Sequence, residues 1–239
     1  VTSDNSGRTW TSPQVIFSAD AEDGIPKVIA NKVSVLSNGR WVLPFWREPG
    51  KTCPVNRNQV PRSEWVNGSA GVLISETQGL SWRLSSKIEL PNTWLIENTI
   101  AQVKSGHLLQ LFRTGLGTVY QSWSADFGST WMPPTPTALP NPNSKVHLLG
   151  LSNGYLVVAY NHSPDQRTPL SIALSRNHGR TWQIVGQIES DASLQFAYPT
   201  VEQRGSQLSV IYTVMKQDSA YRLICVGLRV ATMDLKELS

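Results

Sequence analysis

The chain has 239 residues and a net charge of +4, and hydrophobic residues make up 40% of it against 16% for charged residues. This is the composition of an ordinary globular protein with ample length for a large core, and no apolar run approaches the ~20 residues of a membrane-spanning helix. The basic residues are scattered and form no nucleic-acid motif, so the sequence predicts no nucleic-acid partner and no transmembrane segment.

The cysteine and histidine content argues against a metal centre. Cys53 and Cys225 are too few for a disulfide scaffold and lack metal-ligand spacing, although the two can form a bridge in an oxidising compartment. The four histidines are dispersed along the chain: His107, His147, His162 and His178. We therefore predict no metal site and no cofactor.

An eight-residue motif ending in tryptophan occurs four times. The copies are SDNSGRTW from Ser3, SETQGLSW from Ser75, SADFGSTW from Ser124 and SRNHGRTW from Ser175. Each has serine first, a side-chain acceptor third and glycine fifth, which favours a turn because the acceptor binds backbone N–H groups and glycine tolerates positive φ. Alternating apolar residues flank the copies, so each is predicted to connect two strands.

A second repeated element, a β-hairpin, lies between the copies. It is predicted in VSVLSNGRWVLPFW, TIAQVKSGHLLQLF, VHLLGLSNGYLVVAY and TVEQRGSQLSVIY, each with a glycine in its turn. The hairpin glycines and the motif glycines share a period of about 50 residues. One period therefore contains four antiparallel strands, which predicts an all-β fold, a β-propeller of four-stranded antiparallel blades.

About four blades are expected in this chain. Three repeat units are complete, while the start supplies a motif with one strand and the end supplies a hairpin with one more strand. The two ends can join into one closing blade, or the chain can be part of a larger propeller. We favour the larger propeller because the sequence starts without a methionine, inside a copy of the repeat unit.

The repeated S-x-D-x-G-x-T-W turn resembles the Asp box of the sialidase (neuraminidase) superfamily. The resemblance to its sialidase-like BNR-repeat branch extends over segments that cover most of the chain: NKVSVLSNGRW, LLQLFRT, LPNPNSKVHLLGLSNGYLVVAYNHS, RTPLSIALSRNHGRTW and FAYPTVEQ. It implies one sialidase-like propeller domain over residues 1–239, part of a six-bladed propeller and incomplete at its N-terminus.

The Asp boxes themselves are expected to be architectural. Only the third keeps its aspartate, Asp126, while Asn5, Thr77 and Asn177 stand in the others, and amides still cap a turn. The box tryptophans are expected to be core residues: Trp10, Trp82, Trp131 and Trp182. The chemistry must then lie elsewhere on the blades.

The opposite end of the blades, here called the mouth, is the expected site. It carries the starts of the first strands, the ends of the second strands and the loops between strands two and three. First strands begin near Lys32, Glu97, Asn143-Ser144 and Tyr198-Pro199, and second strands end with Trp46-Arg47, Phe112-Arg113, Tyr160-Asn161 and Tyr212-Thr213. An insertion at about residues 48–70 is predicted to cover the mouth.

The resemblance implies a particular chemistry at the mouth. Sialidases bind the substrate carboxylate with three arginines, use a tyrosine as nucleophile with a glutamate partner, and use an aspartate as acid/base. A guanidinium binds a carboxylate bidentately, and a neutral phenol avoids the repulsion that a carboxylate nucleophile would meet. Carried over, this implies Tyr198 as nucleophile and Glu97 as its partner. The implied substrate-binding residues are Arg113, Arg222, Arg47, Asn143, Asn161 and His162.

Each candidate also has a structural interpretation. The arginines can form internal ion pairs, Tyr198 can pack in the core, and the asparagines can cap turns. The first arginine and the acid/base aspartate of a sialidase have no match in this chain. Glu22 and Asp23 are the only early acids near a strand end, and nothing marks them as replacements. We therefore expect this chain alone to lack the full catalytic set.

Three functions are compatible with the sequence. The first is an exo-acting glycoside hydrolase of sialidase type that cleaves a terminal acidic sugar from a glycan or glycoconjugate. The second is a propeller lyase on uronate-containing polysaccharides, with Tyr198 or His162 as acid/base. The third is a non-catalytic propeller that binds a glycan or a protein.

The sequence contains only weak signals for cellular location and none for the oligomeric state. Asn67-Gly68-Ser69 and Asn161-His162-Ser163 are glycosylation sequons that favour a secreted or lumenal location, although such triplets also arise by chance. No pattern predicts the oligomeric state.

Overall fold

The strands form four consecutive antiparallel sheets. The computed structural model describes residues 1–18, 21–22, 25, 27–47, 68–220 and 222–238. Each sheet is built from strands that follow one another in the chain, as expected for propeller blades.

The strand bounds define the blades. Blade 1 contains β1 (Lys27–Val28), β2 (Ser34–Val35), β3 (Trp41–Arg47), β4 (Ser69–Ser75) and β5 (Arg83–Leu84), and both β1 and β2 pair with β3. Blade 2 contains β6 (Ile96–Lys104), β7 (His107–Arg113), β8 (Thr118–Ser124) and β9 (Thr135–Pro140). Blade 3 contains β10 (His147–Gly150), β11 (Leu156–Asn161), β12 (Leu170–Ser175) and β13 (Gln183–Glu189). Blade 4 contains β14 (Gln195–Arg204), β15 (Gln207–Gln217) and β16 (Leu223–Asp234), followed by a short 3-10 helix (Leu235–Leu238).

Buried apolar side chains join each blade to the next. The pairs that share these clusters are Ile74 with Leu108, Leu109 with Leu156, and Leu174 with Val210. Burial of this apolar surface is the main force that holds the blades together. The predicted all-β propeller of antiparallel blades is confirmed, with four blades present.

The two ends of the chain do not join into one blade within the described residues. Blade 4 shows three strands, and residues 1–18 pair with none of them. The N-terminal segment instead places Phe17 against Leu43 and Phe45 of blade 1.

The four Asp boxes have one hydrogen-bond network although their third residue differs. The first serine accepts the N–H of the box glycine at 2.8–2.9 Å in every copy. The third residue accepts the N–H of the seventh, whether it is Asn5, Thr77, Asp126 or Asn177. The expected architectural role of the boxes is confirmed.

Three of the four box tryptophans pack as expected, but Trp10 does not. Trp82, Trp131 and Trp182 are partly buried against apolar clusters of the blades. Trp10 is 62% exposed, so the expectation that it is a core residue is wrong. The reason is packing: Trp131 and Trp182 lie against the preceding blade, and no strand in the described ranges packs against Trp10.

One cysteine lies in the described part of the chain. Cys225 is an exposed free thiol, and Cys53 lies outside the described residues together with positions 48–67 of the insertion. In the described ranges no group of three or more His, Cys, Asp or Glu side chains is placed to hold a metal ion. No helix of that part of the chain is long and apolar enough to cross a membrane.

Candidate active site

Three residues at the mouth share a left-handed backbone conformation. Glu97, Asn143 and Tyr198 have φ values of 51°, 55° and 54°. Glu97 and Tyr198 lie in β-bulges at the starts of β6 and β14, and a bulge re-aims its side chain. Strain of this kind costs about 1–3 kcal/mol per residue and clusters at functional sites. The fourth residue of each Asp box is left-handed as well, at Ser6, Gln78, Phe127 and His178. The conformation alone therefore does not separate a functional residue from a turn residue, and the contacts of these three side chains make the distinction.

Arg113, at the end of β7, is fixed by two of these residues. Its Nη1 donates to Oε2 of Glu97 at 2.9 Å, and its Nε donates to Oδ1 of Asn143 at 2.8 Å. The side chains of Arg113 and Glu97 are only 9% and 12% exposed. The second terminal nitrogen of Arg113, Nη2, makes no hydrogen bond to the described part of the chain and is left to bind an acceptor.

A second arginine, Arg167, lies beside this pair and was missed by the reasoning from sequence. It belongs to the loop between β11 and β12, and its Nη2 donates to the carbonyl oxygen of Asn143 at 3.3 Å. Its Cζ lies 5.8 Å from the centre of the Tyr198 ring. Burial and the charge of Arg113 lower the pKa of Arg167, while Tyr198 and Glu97 oppose that shift. Two guanidinium groups close together in a half-buried place favour binding of an anion.

The sequence contains a usable signal for Arg167. The segment RTPL belongs to the family resemblance, and loops between strands two and three are expected at the mouth. A rule that looks for arginines only at strand ends overlooks a loop residue. The loop is fixed by its backbone, because the carbonyl of Arg167 accepts the N–H of Phe196 at 2.8 Å and that of Pro169 accepts the N–H of His162 at 3.0 Å.

Tyr198 presents an accessible phenol next to these arginines. It is 45% exposed, whereas Tyr160 at the end of β11 is fully buried. Core packing, the alternative interpretation of Tyr198, is therefore not what the structure shows. Within the described residues no hydrogen bond joins Tyr198 to Glu97, whose carboxylate is bound to Arg113 instead.

Lys145 adds a buried cation to the site and was also absent from the predicted residues. Its Nζ donates to the carbonyl oxygen of Pro199 at 2.8 Å. Burial lowers the pKa of Lys145 to about 8, and the carboxylate of Glu97 opposes this shift. We call the group the mouth cluster; its members are Glu97, Arg113, Asn143, Lys145, Arg167 and Tyr198. At neutral pH it holds three cations and one carboxylate.

Two predicted arginines lie in other surroundings. Arg47 is only 1% exposed, and its guanidinium binds both carboxylate oxygens of Glu22 and the hydroxyl of Ser69. These are the contacts of an internal ion pair, and they also occupy Glu22. Arg222 is 77% exposed and pairs with Asp218 in the turn before β16. The structure does not bring Arg222 to the mouth cluster.

The remaining polar candidates have different roles in packing. Asn161 is fully buried, and its Nδ2 donates to the carbonyl oxygen of Phe196 at 3.0 Å, so it positions β14. Its Oδ1 is buried without a donor from the described residues. His162 is bonded to Tyr160, with 2.6 Å between Nδ1 and the phenolic oxygen. Among the predicted substrate-binding residues other than arginine, Asn143 is the one that contacts both arginines of the cluster.

Comparison with known proteins supports the fold. A family model described as BNR repeat-like domain matches residues 1–210. The chain is similar to an intramolecular trans-sialidase from Ruminococcus gnavus in complex with oseltamivir carboxylate, with a TM-score of 0.70 and 17% identity over 99% of this chain and 50% of that one. It is also similar to a leech intramolecular trans-sialidase complexed with 2,7-anhydro-Neu5Ac, with a TM-score of 0.69 and 16% identity over 99% and 36%.

A third similar structure is a mutant NanB sialidase from Streptococcus pneumoniae, with a TM-score of 0.64 and 18% identity over 87% of this chain and 31% of that one. No curated protein matches the chain. The chain thus spans 31–50% of the length of these three structures. Because the family model covers most of it, the chain belongs to the BNR repeat-like domain family and folds as a sialidase-type β-propeller.

Proposed function

We propose that the protein is a sialidase-like exo-glycoside hydrolase that acts on a terminal acidic sugar of the sialic acid type. The observation that carries this proposal is the mouth cluster, in which Arg113 and Arg167 both bind Asn143 beside the exposed phenol of Tyr198. The similarity to sialidases and trans-sialidases supports it at the level of the fold.

The two guanidinium groups suit the carboxylate of such a sugar. Each is planar, remains charged at any relevant pH and can bind two oxygens side by side. Glu97 compensates only one positive charge of the cluster, and Arg113 and Arg167 repel each other. A bound carboxylate removes that repulsion, so an acidic sugar binds more tightly than a neutral one.

Tyr198 supplies the nucleophile in this proposal. Its oxygen forms a bond to the anomeric carbon as the glycosidic C–O bond breaks, and its proton passes to Glu97. The leaving oxygen takes a proton from a separate acid, and water then cleaves the sugar–tyrosine bond. When the carboxylate of the substrate binds Arg113, the carboxylate of Glu97 is released from its ion pair and can contact Tyr198. Catalytic hydrogen bonds often tighten only with substrate bound. Within the described residues no second carboxyl group contacts the cluster, so the acid comes from outside them.

The test is hydrolysis of a fluorogenic sialoside by the full-length protein. We expect cleavage, and we expect Tyr198→Phe to abolish it while thermal unfolding stays unchanged. Tyr155→Phe is the matched control, because Tyr155 is also partly exposed but lies in the hairpin of blade 3 at the opposite end. Equal activity of wild type and Tyr198→Phe would overturn the assignment of the nucleophile.

A non-catalytic glycan-binding propeller is the second candidate function. It is favoured by one observation, the ion pair that already joins Glu97 to Arg113 and leaves Tyr198 without a base in hydrogen-bond contact. Binding of N-acetylneuraminate without any sialoside cleavage would support it. No contact favours the lyase, since His162 is engaged by Tyr160; an assay for unsaturated uronate products checks this, and we expect none.

A further inference from the structure

One junction between blades differs from the others in the residues that face it. The third strands β4, β8 and β12 align on the serine that begins each Asp box, and the residues one and three places before it face the next blade. In blades 1 and 3 these are aliphatic and buried: Val72, Ile74, Ile172 and Leu174. In blade 2 they are Gln121 and Trp123, and both remain partly exposed.

Where Gln121 and Trp123 take the places of the aliphatic residues, a cleft lies between blades 2 and 3. Its volume is about 450 Å³, within the range of small-ligand sites. Trp123 and Gln121 line it from β8, Lys104 and His107 from the β6–β7 hairpin, and His178 and Arg180 from the Asp box of blade 3. At the junction of blades 1 and 2 the counterpart of His178 is Phe127, which packs into the apolar cluster there.

The cleft is cationic and its charges are uncompensated. Neither Lys104 nor Arg180 forms an ion pair with a described residue, and no described carboxyl group lines the cleft. The imidazole of His107 donates through Nδ1 to the carbonyl of Ser105 at 3.0 Å, which directs its other nitrogen away from that turn. An anionic group is therefore the complementary ligand.

A buried polar atom in the same place also lacks a partner. Oε1 of Gln121 is buried without a hydrogen-bond donor from the described residues. Because Gln121 itself is partly exposed and lines the cleft, its Nε2, which makes no hydrogen bond to the described part of the chain, is the amide atom left to bind a ligand oxygen. Next to it, the flat indole of Trp123 offers an apolar face with a polar edge, which suits the C–H face of a sugar ring.

We infer that this cleft binds an acidic saccharide. The pyranose ring lies against Trp123, a sugar oxygen accepts from Nε2 of Gln121, and a carboxylate or sulfate binds between Lys104 and Arg180. The site is distinct from the mouth: Glu97 and Lys104 lie near opposite ends of β6, about 23 Å apart at 3.3 Å per residue. Its occupancy does not depend on the proposed hydrolysis.

The experiment follows the indole N–H signal of Trp123 by NMR in the full chain labelled with ¹⁵N-tryptophan. Trp123→Leu assigns the signal among the nine tryptophans, and leucine is the residue that blade 3 has there, so the fold is kept. The probes are D-glucuronate, D-glucose 6-sulfate and neutral D-glucose. We expect saturable shifts with at least one acid and none with D-glucose, and the preferred acid identifies carboxylate or sulfate as the group recognised.

The charge requirement is tested by the double variant Lys104→Ser, Arg180→Ser. Serine occupies both equivalent positions at the junction of blades 1 and 2, as Ser37 and Ser129. We expect acid binding to weaken at least tenfold, while Arg204→Ser, an exposed cation in the hairpin of blade 4, changes nothing. Shifts with D-glucose equal to those with the acids, no shift at all, or unchanged binding in the double variant each overturn the inference. Loss of sialoside cleavage has no bearing on this signal, so the two proposals fail separately.

Discussion

The two ends of the blades differ in which feature is repeated from blade to blade. At the box end the same hydrogen bonds recur in four copies while the third residue of the motif changes between Asn, Thr and Asp. At the mouth the same left-handed backbone recurs while the side chains are a carboxylate, an amide and a phenol, at Glu97, Asn143 and Tyr198. Repeated sequence therefore marks the turns that build the blades. At the mouth the varied side chains also converge on one another, through Arg113 and Arg167, and that convergence marks the residues available for chemistry.

The largest effect is expected from crowding the box end. A Cβ at Gly179 would lie 2.4 Å from Cδ2 of Leu109 on blade 2, and the residue has φ of +88°. Gly179→Ala should cost about 3–4 kcal/mol of unfolding free energy, the sum of overpacking and left-handed strain. The matched control is Gly154→Ala, with φ of +85° and no neighbour within 4 Å, at about 1 kcal/mol. Equal losses in urea denaturation would show that the box turns do not hold the blades.

At the mouth, two arginine variants test which guanidinium group binds substrate. Arg167→Lys keeps the charge but loses the planar fork, so we expect kcat/KM for a sialoside to fall roughly 100-fold with stability retained. Arg222→Lys is the control, because Arg222 is exposed at the same end of the molecule and pairs only with Asp218 in the described residues. A larger loss for Arg222→Lys than for Arg167→Lys would contradict the site described here.

Between the two ends, His147 is expected to make the fold sensitive to acid. Burial, helped by Lys145 and Lys32, lowers the pKa of His147 to about 3, and its neutral Nδ1 accepts the N–H of Val201 at 3.2 Å. The unfolded chain binds the proton first, with a pKa near 6.5, so stability is complete above pH 6.5 and is lost as the pH falls towards 3. Between pH 7 and pH 5 we expect a loss of about 2 kcal/mol.

Urea denaturation at the two pH values measures this loss. His147→Gln keeps an acceptor for Val201 but cannot titrate, so it should remove this part of the pH dependence. An unchanged pH dependence in the variant would assign the acid sensitivity to another group.

The smallest effect concerns the one aspartate kept in a box. Burial alone would raise the pKa of Asp126, but hydrogen bonds from Thr130 and Ser124 hold it below its usual value. Asp126→Asn should cost only a few tenths of a kcal/mol, because Asn5 and Asn177 make the same contact in other boxes. Asp126→Ala should cost about 1 kcal/mol in thermal unfolding, as loss of a capping side chain usually does. A larger cost for the asparagine variant would mean that the charge itself is needed.

Much of the fold could be predicted because the motif and the hairpin repeat with one period, and strand alternation is a local signal. Trp10 was misjudged because its burial depends on a neighbouring blade, which a local motif does not report. The bulges at Glu97 and Tyr198 were not predicted, although the alignment of first strands placed both residues at the mouth.

The membership of the mouth cluster was harder to predict than its location. Arg167 lies in a loop whose path depends on a backbone hydrogen bond to Phe196 of β14, and Lys145 approaches Glu97 only through the packing of blades. Conversely, Asn161 and Arg222 occupy suitable places along the chain, but the backbone carbonyl of Phe196 binds the first and the carboxylate of Asp218 binds the second. The strand register and the repeat period can be predicted from the sequence. Which of several possible polar partners a side chain binds cannot.

The buried amide of Asn161 has a consequence for making the protein. The Nδ2 atom that donates to the carbonyl of Phe196 is the same atom to which a secretory host attaches an oligosaccharide at the sequon Asn161-His162-Ser163. Modification there replaces one of the two hydrogens of Nδ2 with a sugar and so adds bulk where the residue is fully buried. In a eukaryotic secretory host, glycan transfer and folding thus compete for one nitrogen atom, and only molecules that escape transfer reach this fold. A bacterial cytoplasm avoids that competition.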